Sequence, residues 1–386
     1  MAQKIFKRFA PLLSFLLILS FIFAPILNTA SVPAMAAFSE NTEDFNYAQV
    51  MSEPKTVNQS EAAATSLSKS ELKSIKLYPG GIPFGVKFMT EGILIVGFSD
   101  SAKKENPSTK AGLKINDRIL SVEGKALLSA SELSDIVKSS NGRTLSIVYS
   151  RNGSRHTTSL TPIYSQSEKC YTTGAYVKDN GAGIGTVTYI VPNSLSFGGL
   201  GHGICEGNGS LVPIQRGSVV DVAINGVVKG QCGVPGEVKG YFNSGKTGSL
   251  LRNTHCGVFG AFASLPKGLP TEPMSIGIKD ELQEGRAYIY STLDGTTPQK
   301  YDIEISAIDR SACEGKCFTV KVTDPKLLAK TGVIVQGMSG SPNIQNGKLV
   351  GAVTHVMIND PTTGYGIFIE NMLNASSQQS VIPRAA

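Results

Sequence analysis

The sequence predicts a mainly β protein, and three observations support that class. The chain has 386 residues, enough for two or three domains of ordinary size. Its 41 glycines and 19 prolines follow no collagen-like period and suit many short strands joined by tight turns. Short apolar runs such as GVVKGQ, AYIYSTL and CFTVKVT recur through the second half of the chain. Because 41% of the residues are hydrophobic and 17% are charged, a wholly disordered chain and a coiled coil are excluded.

Residues 1–37 are predicted to be a signal peptide or a membrane anchor. Three basic residues precede an uncharged stretch whose apolar centre runs from Leu12 to Leu27. That centre is short for a span of about 20 residues, and Ala34-Met35-Ala36 offers a small-x-small cleavage site. Both alternatives stay open, and either one places the rest of the chain outside the cytosol. The three basic residues supply half of the net charge of +6, so the remainder gives no reason to expect nucleic acid as a partner.

Three further segments follow. Residues 38–75 are rich in Ser, Glu, Asn and Thr, and they are predicted to form a polar, exposed linker. Residues 76–163 combine the apolar runs GILIVGF and TLSIVYS with one amphipathic stretch, which predicts a small α/β domain whose helix begins at Ser129 or Ser131. Residues 164–386 are Gly-rich with many β-type runs, so we expect a β-barrel or a sandwich there.

The small domain resembles a PDZ domain. The segment from Lys110 to Leu127, KAGLKINDRILSVEGKAL, matches the family's characteristic pattern, with Asn116 in place of the usual glycine. Pro83-Phe84-Gly85-Val86 resembles the family's carboxylate-binding loop. The resemblance implies that Phe84, Gly85 and Val86 bind a terminal carboxylate while the peptide adds as a strand to the sheet edge. The alternative is a purely structural or docking module.

The strongest chemical signal is the hexapeptide Gly337-Met338-Ser339-Gly340-Ser341-Pro342 between two apolar strands. It resembles the nucleophile turn of chymotrypsin-like serine peptidases. Its glycines permit a tight turn that would expose the Ser339 hydroxyl and direct the amides of Gly337 and Ser339 at a developing oxyanion. The alternative is an ordinary Gly-Ser-Pro turn between strands.

A serine nucleophile needs a histidine base, and the chain has four histidines. His202 is the favoured candidate because glycines flank it and because it precedes the serine, as in chymotrypsin-like order. We expect His156 on a surface strand and His255 in a loop. His355, in AVTHVMI, is expected to be structural or to line a pocket.

The orienting acid is less well defined by the sequence. Asp324 ends an apolar strand fifteen residues before Ser339, which makes it the first candidate. Asp302, Asp309 and Asp360 are competitors that spacing does not exclude. An aspartate before a proline, as in Asp324-Pro325, is also a common turn or cap residue.

Four segments together resemble the stage IV sporulation protein B family of sporulation serine peptidases, which carry a PDZ domain. They are GIGTVTY (Gly183 to Tyr189), FGGLGHGI (Phe197 to Ile204), VTDPKLLAKTGVIVQGMSGSP (Val322 to Pro342) and GAVTHVMINDPTTGYGIFIENML (Gly351 to Leu373). The resemblance implies a chymotrypsin-like serine endopeptidase with a His202, Asp324 and Ser339 triad, and it places Thr354 beside the active site.

The same resemblance implies where and on what the enzyme acts. The family works between the forespore and mother-cell membranes, where it cleaves a membrane regulator that restrains the protease processing a late sigma factor. It also cleaves itself near its N-terminus. The implied partners are therefore a membrane-associated protein substrate, the chain's own N-terminal segment and the membrane, and no cofactor is expected.

Six cysteines leave other chemistries to weigh. They are Cys170, Cys205, Cys232, Cys256, Cys313 and Cys317. An even number in an exported chain permits disulfides, and buried free thiols are the alternative. No CxxC pair occurs, so we expect no metal site. Two rival functions remain, a cysteine or zinc hydrolase using Cys205 near His202 and a non-catalytic exported scaffold whose PDZ domain binds C-terminal peptides.

Overall fold

The computed structural model of the protein describes residues 67–99, 106–207, 209–231, 234–357 and 360–377. The predicted signal or anchor segment and most of the predicted linker lie outside these ranges. Within them, no helix has both the length and the apolar character needed to cross a membrane.

The described residues form five helices and twenty strands. The helices are α1 (Lys69–Ser74), α2 (Pro107–Lys110), α3 (Ala130–Ser139), α4 (Pro325–Thr331) and α5 (Ile369–Ser377). The first ten strands are β1 (Lys76–Pro79), β2 (Pro83–Phe98), β3 (Arg118–Val122), β4 (Lys125–Ala126), β5 (Leu145–Arg151), β6 (Ser154–Leu160), β7 (Ile163–Ser165), β8 (Cys170–Thr172), β9 (Ala175–Ile190) and β10 (Ser196–Gly199). The other ten are β11 (Ile214–Val228), β12 (Glu237–Thr254), β13 (Gly257–Phe262), β14 (Met274–Ser275), β15 (Gly285–Ser291), β16 (Gln299–Ser306), β17 (Phe318–Val322), β18 (Pro342–Gln345), β19 (Lys348–Val356) and β20 (Thr363–Phe368).

Two groups of six antiparallel strands close into barrels. In the first barrel the pairing runs from β9 through β10, β13, β12, β11 and β2 and returns to β9. In the second barrel it runs β15, β16, β17, β20, β19, β18 and closes on β15. Apolar side chains of alternate strand residues fill each barrel, as in β16, where Tyr301, Ile303 and Ile305 are buried. The prediction of a mainly β fold of chymotrypsin-like barrel type is confirmed.

The PDZ module is formed by the end of β2, strands β3 to β6, and helices α2 and α3. Helix α3 begins after Ser129, whose side chain accepts a hydrogen bond from the amide of Glu132 and so caps the helix. Leu133 and Val137 of this helix pack into a core of their own with residues of β2, β3 and β5. Asn116, which replaces the family's glycine, has φ of 72°, a conformation that asparagine tolerates better than most residues.

Strand β2 is shared between the PDZ module and the first barrel, and this corrects one prediction. Phe84 pairs with Gly185 of β9 on one edge and with Asp221 of β11 on the other, and Val86 is likewise paired on both edges. The Phe84 side chain is 1% exposed in the core of the first barrel. Because neither edge is free and no loop exists here, Phe84, Gly85 and Val86 do not form a carboxylate-binding loop.

The end of the predicted linker is also folded. Helix α1 begins with a capping box in which Ser68 and Glu71 bind each other's backbone amides. Leu72 is 2% exposed in the main core, and Lys69 forms an ion pair with Asp280. The prediction of an exposed linker up to residue 75 is therefore wrong from Leu67 onward.

Candidate active site

His202 lies just after β10, in the segment that connects β10 to β11 of the first barrel. Leu200 and Gly201 both have positive φ, 64° and 68°, which turns the chain sharply before the histidine. A side chain at Gly201 could not be accommodated, because its Cβ would lie 2.9 Å from Cγ2 of Thr354 in β19. The glycine beside His202 thus permits close contact between the two barrels.

The Ser339 turn is bound to strand β9 of the first barrel. Gly340 has φ of 96°, and its missing Cβ would lie 2.0 Å from the carbonyl oxygen of Thr186. The Thr186 hydroxyl donates to the Gly337 carbonyl over 2.7 Å, and the Thr188 hydroxyl donates to the Gly340 carbonyl over 2.8 Å. Two threonines of β9 therefore hold the turn that carries Ser339.

The Ser339 hydroxyl is buried and already hydrogen-bonded. Ser339 is only 2% exposed, so the prediction that the turn exposes its hydroxyl is wrong. Oγ donates to the backbone carbonyl of Thr354 over 2.6 Å. The Thr354 hydroxyl in turn faces the carbonyls of Gly315 and Tyr365. Thr354 therefore lies beside Ser339, and its carbonyl accepts the hydrogen bond of the Ser339 hydroxyl.

His202 is oriented by a backbone carbonyl. Its Nδ1 lies 2.9 Å from the Gly203 carbonyl oxygen, and because a carbonyl only accepts, Nδ1 carries the proton. Nε2 then holds a lone pair, and it is buried with no hydrogen-bond partner in the described part of the chain. Burial lowers the pKa of His202 from its ordinary value, and the Gly203 carbonyl opposes that shift. The imidazole is thus neutral near pH 7 with a free basic nitrogen.

The amides expected to bind an oxyanion have no acceptor. Gly337 and Ser339 lie in the turn, outside any strand, and their N–H groups donate to no atom of the described residues, whereas the intervening Met338 amide donates to the Val335 carbonyl. Gly337 has φ of 97°, which favours glycine at this point. The two amides on either side of Met338 are thus the donors available to an oxyanion at this turn.

Asp324 does not contact His202, and this corrects its predicted place in the site. One carboxylate oxygen accepts the amides of Lys326 and Leu327, at 2.8 and 3.1 Å, and so caps helix α4. The other accepts the amide of Asp302 over 3.3 Å. The local reading of Asp-Pro as a cap was the correct one at this residue.

The competing aspartates are likewise used in their own loops. Asp309 accepts from the amide and hydroxyl of Ser311, and Asp360 accepts from the hydroxyls of Thr362 and Thr363. These hydrogen bonds lower the pKa of both carboxyls. Across the described ranges, no carboxylate is hydrogen-bonded to His202.

His355 is the residue that the sequence placed least well. Its ring lies against that of His202, with centroids 4.7 Å apart and planes inclined by 36°. Burial, His202 and Lys316 lower the pKa of His355 to about 3. The sequence predicted a structural or pocket-lining residue and not a ring packed on His202; the position of His355 directly after Thr354 was the available signal.

The described cysteines show no sign of an activated thiol. Five of them are free thiols, and Cys232 lies outside the described residues. Burial raises the pKa of Cys205, the thiol nearest to His202 in sequence, and raises those of Cys256 and Cys317 to about 11. Protonated thiols are poor nucleophiles. Where the structure describes the chain, it contains no group of three or more His, Cys, Asp or Glu side chains suited to a metal ion.

Two six-stranded barrels, with the Ser339 turn of the second packed against the segment that leads to His202 in the first and a PDZ module attached, define the fold of chymotrypsin-like serine peptidases. The chain belongs to the SpoIVB peptidase S55 family, which matches residues 169–373. The PDZ family matches residues 82–161.

Individual proteins are similar to this chain over part of its length. A protein of Neisseria meningitidis, NMA0084, whose name is that of a zinc metalloprotease, is 30% identical over 114 residues, and the matched segment covers 30% of this chain and 23% of that relative. The active form of the Rv3671c protease of Mycobacterium tuberculosis is 15% identical, with a TM-score of 0.29 and coverage of 52% of this chain and 77% of the other. The PDZ domain of an SdrC-like protein of Listeria monocytogenes is 19% identical, with a TM-score of 0.20 and coverage of 22% and 87%.

Proposed function

We propose that the protein is a signalling serine endopeptidase of sporulation in which Ser339 is the nucleophile and His202 the general base. The observation that carries the proposal is the close approach of the Ser339 turn to the segment that leads to His202, where a Cβ at Gly340 would lie 2.6 Å from the Leu200 nitrogen. Nε2 of His202 and the amides of Gly337 and Ser339 have no partner in the described residues. These are the three groups that acyl transfer requires: a nucleophile, a base and an oxyanion site.

The proposed reaction follows from the hydrogen bonds already present. The Ser339 hydroxyl leaves the Thr354 carbonyl, transfers its proton to Nε2 of His202 and attacks the scissile carbonyl carbon. The amides of Gly337 and Ser339 bind the resulting oxyanion. His202 then gives the proton to the leaving amine. In the second half of the reaction His202 takes a proton from water, which attacks the acyl-enzyme and releases Ser339. In this arrangement the Gly203 carbonyl, and not Asp324, keeps the proton on Nδ1.

The substrates we propose are a membrane-associated regulator of an intramembrane protease and the chain's own N-terminal segment, met in the space between the forespore and mother-cell membranes. Membership of the S55 family supports this proposal. We further propose that residues 1–37 act as a signal peptide or as an anchor before cleavage, which would bring enzyme and substrate to the same membrane.

A peptide-binding role for the PDZ module is a second candidate function, supported by a groove beside α3. The groove has a volume of about 500 Å³, with Leu133 and Val137 on its helical side and Tyr171, Ala175 and Val177 on the other. The start of β9 pairs with β2 on one edge, and in the described residues no strand pairs with its other edge. A peptide strand could add there, in place of the predicted Phe84 loop.

Labelling with a fluorophosphonate probe tests the peptidase proposal. The full-length chain should react at Ser339 with loss of fluoride, and Ser339→Ala, which lacks the oxygen that the probe phosphonylates, should abolish labelling at this position. Ser341→Ala is the matched control, because Ser341 lies in the same turn and its buried hydroxyl has no partner in the described residues. A wild-type chain that folds but does not label would instead favour the non-catalytic scaffold.

A further inference from the structure

A second imidazole lies in the candidate site, and the reaction proposed above does not use it. His355 is in β19, directly after Thr354, whose carbonyl accepts the Ser339 hydroxyl. Its ring lies against the His202 ring at a centroid distance of 4.7 Å. The two histidines come from different barrels, so their contact is created by the tertiary structure alone.

The surroundings of His355 keep its ring neutral. The titratable groups facing it are His202, from the segment after β10, and Lys316, from the loop before β17. The Lys316 ammonium lies over the ring of Tyr365, 5.3 Å from its centroid. Both basic neighbours disfavour a second positive charge, and in the described part of the chain no carboxylate is hydrogen-bonded to either histidine. His355 therefore presents an uncharged aromatic face to His202.

The His355 ring is also approached by the loop before β17. An added Cβ at Gly315 would lie 3.3 Å from Cε1 and 3.5 Å from Nδ1 of His355. The Gly315 carbonyl accepts the Thr354 hydroxyl, so the loop that bounds His355 is tied to the strand that carries it. The half-buried ring thus lies close to both this loop and His202.

Proton transfer from Ser339 would create a positive charge on His202 in a buried site. In the described chain that charge has no hydrogen-bonded carboxylate, and Nδ1 is satisfied only by the Gly203 carbonyl. A cation packed on a neutral aromatic face is stabilised by the ring quadrupole, and more so where water is excluded. The group in position to provide this is His355.

We propose that His355 is a positioning residue of the active site, whose neutral ring holds His202 beside the Ser339 turn and stabilises the imidazolium formed during acyl transfer. The proposal rests on the proposed function, because it requires that His202 is the base. It assigns to an aromatic ring the role that a carboxylate has in a Ser-His-Asp triad.

Four variants of the full-length chain test the role, with fluorophosphonate labelling of Ser339 as the measurement. His355→Phe keeps an aromatic face of similar size and should restore most of the wild-type rate. His355→Leu and His355→Gln remove the aromatic face and should label about tenfold to thirtyfold more slowly. His156→Leu is the matched control, because His156 also stacks on a ring, that of Tyr149, but does so in the PDZ module. It should label as fast as the wild type.

The pH profile separates stabilisation of the cation from packing. Labelling should fall on the acid side as His202 becomes protonated, with a midpoint below about 6.5. Because loss of the aromatic face destabilises the imidazolium, the midpoint should move to lower pH in the Leu and Gln variants and stay unchanged in the Phe variant. A side chain that only packs would change the plateau rate and leave the midpoint where it is.

The contrary results are distinct. Equal rates and midpoints in the wild type, Leu and Gln variants would overturn the proposal, and so would a Phe variant as slow as Leu. If one of the non-aromatic variants does not fold, as judged by circular dichroism, the other still decides. A wild-type chain that is not labelled at Ser339 would refute the proposed function itself, which is a different result from a failed comparison among His355 variants.

Discussion

Asp324 shows how a single residue type can serve chemistry or local structure. An aspartate before Pro325 has a carboxylate that can accept the free amides at the start of a helix, and α4 begins there. The same carboxylate in a triad would have to accept from Nδ1 of His202, which is bonded to Gly203 instead. One carboxylate oxygen accepts the two cap amides and the other accepts the amide of Asp302, and His202 donates to neither.

Substitution of Asp324 distinguishes the two roles. Asparagine caps helices about as well as aspartate, so Asp324→Asn should change the free energy of unfolding little and keep the labelling rate of Ser339 within about threefold. Asp324→Ala removes the cap and should cost about 1 kcal/mol in urea unfolding. If Asp324→Asn folds normally but loses labelling by about a hundredfold or more, Asp324 orients His202 as the family resemblance implies.

The serine turn depends on glycine for two separate reasons. Gly340 needs a positive φ, and it also needs the space where a Cβ would meet the backbone of β9. The second requirement is what allows Thr186 and Thr188 to bind the turn. At the scale of the element, the motif is thus a contact surface between barrels as well as a tight turn.

Two glycine variants separate backbone strain from this contact. Gly347 has φ of 72° in the loop between β18 and β19, and an added Cβ there would meet nothing within 4 Å. Gly347→Ala should therefore cost only the left-handed strain, about 1–2 kcal/mol. Gly340→Ala adds a Cβ 2.0 Å from a backbone oxygen, so it should lower the urea midpoint further and abolish Ser339 labelling. Similar effects of the two changes would show that the approach of the barrels at Gly340 is unimportant.

At the scale of the whole molecule, the folded part begins earlier than the predicted linker allowed. The amide of Leu67 donates to the Asn374 side chain in helix α5, and Leu72 is buried in the main core. A peptidase cleft binds an extended chain, and a tethered substrate has an effective concentration in about the millimolar range. Self-cleavage is therefore expected before Leu67, since the residues after it are bound to the folded protein.

N-terminal sequencing tests this expectation. The wild-type chain, expressed in cells without an endogenous copy, should yield a trimmed form whose first residue lies between 38 and 67. The Ser339→Ala chain should keep the longer N-terminus. The same trimmed form in both chains would show that another protease makes the cut, while leaving the assignment of Ser339 untouched.

Features that depend on neighbours along the chain could be predicted from the sequence. The strand-rich class follows from residue periodicity, the start of α3 at Ser129 follows from local capping, and the turn at Ser339 follows from its flanking glycines. Flanking glycines and chain order favoured His202 as the base, and the family resemblance added Thr354 beside the turn. Each of these rests on φ, ψ preferences or on a short motif, which the sequence carries directly.

The tertiary structure decided what each segment meets. Phe84 stands in a motif typical of a PDZ loop, yet its strand continues into the first barrel because β9 and β11 pair with both of its edges. Asp324 could not be assigned between cap and triad until its distances were known, and the stacking of His355 on His202 joins residues from two barrels. Strand pairing, burial and ring contacts depend on parts of the chain that are distant in sequence, and a local pattern of residues does not encode which of them will come together.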